Sequence, residues 1–84
     1  MRKSISYLTS IRHDVDDTAH VLHELSVDFE ALSCSVEQMT PEQVRLDKAQ
    51  EHRDLVKAMY ATVAKIRKTL TQHNLAADKL QTFF

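Results

Sequence analysis

The sequence predicts an all-α fold, an antiparallel two-helix hairpin of coiled-coil type, and three features carry that prediction. The 84 residues contain no glycine and one proline, so the positive-φ positions that tight turns draw on are scarce. Apolar residues recur in steps of three and four from Leu8 through Ile11, Val15, Leu22, Leu25, Phe29, Leu32 and Val36 to Met39, with Thr18 the one polar member. Such a heptad seam keeps one helix face turned toward a partner helix. At mid-chain, Thr40-Pro41-Glu42-Gln43 reads as a helix start. Thr40 caps, Pro41 takes the first helical position, and Gln43 closes a Thr-x-x-Gln capping box.

Taken in order, helix 1 runs from about 4 to 38, with Ser4 as its cap. Residues 39–41 form the turn. Helix 2 runs from about 41 to 80, because no breaker follows Pro41. Its seam is read as Ala49, His52, Val56, Met59, Val63, Ile66, Leu70, His73, Ala77, Leu80 and Phe84. Fraying is expected near Asn74 or after Leu80. Two long helices joined by so short a connection fold back on each other, giving a single domain over residues 1–84.

Helix 1 is acidic and helix 2 basic, so Asp and Glu flanking one seam are expected to face Lys and Arg flanking the other. Exposed pairs contribute about 0–1 kcal/mol each and select the pairing more than they hold it. Seam burial, at about 25 cal/mol per Å², supplies the energy. A two-helix rod leaves one side of each helix uncovered. Tyr7, Val21, Leu55 and Tyr60 are read as partner contacts, able to dock on another protein or a second copy and complete a bundle. At the C-terminus, Phe84 continues the seam and Phe83 does not; the tail is expected to pack on helix 1 near Ile5 and Leu8, with docking in a partner as the alternative.

Several functions are disfavoured. A net charge of −1 is far from the basic balance of a nucleic-acid binder. No segment is apolar enough for a membrane span. Met1-Arg2-Lys3 resembles the start of a signal peptide, yet the polar residues after it do not make an apolar core. With Cys34 as the lone cysteine, no disulfide forms within one chain, and a reducing cytoplasm fits.

Catalytic chemistry has little to stand on. His13, Asp14, Asp16, Asp17, His20, His23 and Glu24 imitate a metal cluster but lie opposite the seam, on the solvated face. His20 and His23 are the residues a metal- or phosphoryl-carrying helical dimer would use. Nothing places a base beside Cys34. His52 and His73 occupy seam positions, where Thr18 and His52 are expected to influence register and partner choice. No enzyme activity, cofactor or metal is expected.

The central Thr40-Pro41-Glu42-Gln43 turn and the seam spacing resemble those of the small helical-hairpin co-chaperones of type III secretion needle subunits, and in outline the needle subunits themselves. The resemblance spans the whole chain in shape. Needle-subunit turns usually carry two prolines or a Pro-Asx pair, whereas this chain has one proline. The resemblance implies a cytoplasmic chaperone that shields an aggregation-prone, helical secretion substrate beside a second chaperone. The sequence thus points to a protein-binding module of that kind, with a self-assembling structural subunit as the rival reading.

Overall fold

A computed structural model describes the backbone over residues 5–83 and the side chains over residues 6–82. Among these residues there are only helices: α1 at Ile5–Glu37, α2 at Pro41–Leu46 and α3 at Ala49–Phe83. The expected cap at Ser4 and the packing of Phe83, Phe84 and Ile5 lie outside the described side chains.

Helix α1 ends by tightening. Gln38 N–H still reaches the Cys34 carbonyl at 3.0 Å, while Met39 N–H reaches only three residues back, to Val36, at 3.1 Å. Such a closing turn satisfies carbonyls that would otherwise be orphaned. Thr40 is extended (φ −76°, ψ 152°). Its hydroxyl accepts from Gln43 N–H at 3.1 Å, and Gln43 Oε1 accepts from Thr40 N–H at 3.0 Å. The capping box is therefore formed in both directions.

Helix 2 is not one rod of forty residues. α2 stops after six residues, because Asp47 (φ −129°, ψ −9°) leaves helical geometry. Asp47 and Lys48 both donate N–H bonds to the Gln43 carbonyl, at 3.0 and 2.7 Å, and the Lys48 carbonyl accepts the first bond of α3 from His52 N–H at 2.8 Å. A six-residue helix spans about 9 Å, enough to carry the chain across the 8–10 Å between packed helix axes. A straight continuation from Pro41 would have had no such room to return. α3 then runs without a break past Asn74 to Phe83, so the expected fraying does not occur there.

α1 and α3 pack along their lengths into a rod of 68 × 14 × 14 Å. Their register is marked by a side-chain hydrogen bond between them, Thr18 Oγ1 to His73 Nδ1 at 2.8 Å. Counting equally in opposite directions from it sets Leu25 across from Ile66, Leu32 across from Met59, and Ile11 across from Leu80. The intervening layers set Leu22 across from Thr69 and Val15 across from Ala76. Burial follows this register: Ile11 is 4%, Ala76 7% and Thr69 9% exposed.

The seam read for helix 1 is thereby recovered, every member from Leu8 to Met39 being buried or half-buried. The seam read for helix 2 is recovered except at Leu70: Ala49, His52, Val56, Met59, Val63, Ile66, His73, Ala77 and Leu80 are half-buried, Leu70 is 45% exposed, and Phe84 lies outside the described residues. Thr69 and Ala76, the buried residues of α3, stand beside that seam, as do the half-buried Leu55 and Thr62. The smaller Thr69 and Ala76 stand across from Leu22 and Val15, and both are buried.

Among the described residues no charge pair joins the two long helices: Lys48 and Glu51 stand 3.3 Å apart, and the histidine contacts, charged only when the ring is protonated, are His20–Glu24 at 3.0 Å and His13–Asp17 at 3.9 Å, both within α1.

Candidate functional site

The two flanks of the rod differ. Along one, Asp14, Asp17 and Thr18 of α1 and Gln72, Leu75, Ala76 and Lys79 of α3 line a shallow groove of about 320 Å³. Farther toward the turn, Asp28, Ala31, Leu32, Ser35 and Thr62 continue it. Carboxylates and a lysine keep this flank wet.

The other flank is apolar. Phe29 and Val36 of α1 with Val56, Met59, Tyr60 and Val63 of α3 line a groove of about 270 Å³. Tyr60 is its one polar group and is 73% exposed. The α3 side continues as Val56, Tyr60, Val63, Arg67 and Leu70, in steps of four and three that keep a single helix face. On α1 the matching positions are small from residue 19 to residue 33. Ser33 lies three and four residues from Val36 and Phe29, Ser26 and Ala19 precede it by one and two heptads, and Arg12, a heptad before Ala19, ends the low stretch. This flank is a trough with a raised apolar wall on α3 and a low wall on α1.

The four residues read as partner contacts do not share a surface. Tyr60 stands in the apolar groove. Tyr7 and Val21, 43% and 41% exposed, lie two heptads apart on α1 with Asp14 between them, beside the charged flank. Leu55 is half-buried in the seam, level with Val36. Sequence reasoning missed Phe29, Val36, Val56, Met59 and Val63 as groove residues because each was assigned wholly to the seam. The signal that could have found them is the Val56, Tyr60, Val63, Leu70 spacing, a second apolar stripe beside the first.

The histidines are not gathered. His20 Nε2 sits 3.0 Å from Glu24 with its side chain largely in solvent, His23 is exposed, and among the described residues no three metal-ligating side chains converge. Cys34 is exposed. Thr18 pairs with His73 rather than His52. Its hydroxyl also lies 2.8 Å from the Asp14 carbonyl. With a single proton, Thr18 satisfies both contacts by donating to that carbonyl and accepting from His73 Nδ1–H. A polar layer inside an apolar seam specifies register.

No helix among the described residues is long and apolar enough to cross a membrane. No protein-family model, curated protein or solved structure matches this chain.

Proposed function

We propose that the chain is a non-enzymatic protein-binding module, most specifically a small cytoplasmic chaperone or assembly adaptor of a bacterial protein-secretion system that shields an aggregation-prone helical partner. The observation that supports this reading is the apolar groove of Phe29, Val36, Val56, Met59, Tyr60 and Val63. Its length along the rod suits an amphipathic helix, whose i, i+3, i+4, i+7 side chains would drop between the raised α3 wall and the low α1 wall. Tyr60 supplies a broad apolar ring and a hydroxyl for the edge of such an interface. The link to secretion rests on the resemblance of the hairpin and its capped turn to the needle-subunit co-chaperones.

The test is a photo-cross-linking side chain placed at position 60 or, on the charged flank, at Lys68, in cells of the source organism. A heterologous adduct from position 60 and none from position 68 is the expected result. Equal adducts from both, or none from either, would sink the proposal. Identifying the adduct as a secretion substrate tests the finer reading.

A further inference from the structure

We propose that the apolar flank takes a second copy of this chain, so that two hairpins close into a four-helix bundle with their turns at the same end. The inference rests on that flank being a docking face, as the preceding section reads it.

The argument is the distribution of charge about the trough. Its rim on α1 carries Asp16, His23, Glu30 and Glu37; its rim on α3 carries Arg53, Tyr60, Arg67 and Asn74. Within one copy these rims stand on opposite edges and form no ion pair. Two face-to-face arrangements obey two-fold symmetry. With the axis across the rod, α1 would lie on α1 and acid would meet acid. With the axis along the rod, α1 of each copy lies on α3 of the other. The Thr18–His73 register then sets Glu37 level with Arg53, Glu30 level with the Tyr60 hydroxyl, Asp16 level with Asn74 and His23 level with Arg67, so that Glu37–Arg53 is the one pair of opposite charges and the imidazole of His23 meets the guanidinium through a ring nitrogen as acceptor. Opposite signs and hydrogen-bonding groups meet only in this second arrangement. Shape agrees, because the α3 wall of Val56, Val63 and Leu70 in one copy faces the low Ala19, Ser26 and Ser33 wall of the other.

The charged flank, with Asp14, Asp17 and Lys79 at its groove, would stay in water.

Sedimentation equilibrium of the purified full chain at micromolar concentration tests this. Twice the chain mass is expected, and a monomer at every concentration overturns the proposal. Leu70→Glu, on a side chain already half in solvent, is expected to weaken the dimer at least tenfold while helicity is kept; an unchanged dimer overturns the assigned face. Glu37→Arg or Arg53→Glu alone is expected to weaken association about tenfold, since symmetry doubles each contact, and the double exchange to restore it. Spin labels at Glu42→Cys in a Cys34→Ser background are expected to lie well under the rod's 68 Å apart; a separation near that length overturns the arrangement. A monomer that still gives heterologous adducts at position 60 removes the dimer and leaves the binding module. A dimer without such adducts does the reverse.

Discussion

Replacing Thr18 by valine probes the contact that sets the register of the rod. The substitution keeps shape and removes the oxygen that lies 2.8 Å from His73 Nδ1. His73 is half-buried, so its Nδ1–H loses a partner that water replaces only in part. A buried unpaired donor costs about 1–3 kcal/mol, and partial exposure places this site at about 1. His73→Leu is expected to differ. Thr18 keeps its bond to the Asp14 carbonyl, so no polar group is stranded, and the change is expected to be neutral or stabilising. Thr18→Val with His73→Leu should recover most of the loss, giving a coupling of about 1 kcal/mol in a double-mutant cycle. Urea unfolding followed by circular dichroism at one fixed chain concentration measures all four proteins, since association would shift apparent stability. In thermal unfolding the single Thr18 change corresponds to about 4–8 °C for a domain of this size. If both single variants cost the same and the cycle is additive, the reasoning fails and the hydrogen bond does not contribute.

Other predictions follow from the same register. Ile11→Ala, at a side chain 4% exposed, is expected to cost about 2–3 kcal/mol, the low end for such truncations because a thin rod collapses easily; denaturant midpoints will check it. Thr69→Glu is expected to cost at least about 2 kcal/mol by burying a charge, while Leu70→Glu, one residue round, stays within about 0.5 kcal/mol when measured on dilute monomer. Similar losses at both positions would return the seam to Leu70. Thr40→Ala is expected to cost about 1 kcal/mol through the lost capping box, seen as a lower melting temperature. His20→Ala with His23→Ala is expected to leave helicity and bound metal of the purified protein unchanged, as checked by circular dichroism and elemental analysis; a fall in metal content would revive a histidine site.

The turn was legible because its signal is local. Thr40, Pro41 and Gln43 satisfy one another's backbone demands within four residues, so no distant contact is needed to read them. Helix α1 was legible because its inward residues are also its large apolar ones. α3 misled at Leu70 for the opposite reason. Hydropathy favours Leu70 over Thr69, yet Thr69 is 9% and Leu70 45% exposed, because burial is decided by what stands across the interface. Leu22 and Val15 fill their layers and leave space only for Thr69 and Ala76. Nothing in one helix records the size of its neighbour's side chains. The groove was half legible. Tyr60 was singled out as an apolar residue beside the seam, but which flank it joins depends on the register that Thr18 and His73 lock.

Nearly every inward side chain of the described rod still touches solvent, and none is wholly enclosed. Without a central mass to hold the rest, each layer leans on the two beside it and little else. Pulled apart at the open end, the hairpin would peel one layer after another toward Thr40 and re-zip in reverse order. The force to open it would be set by the layer at the fork and not by length, while the total work would fall by a fixed step for each matched heptad removed from both helices.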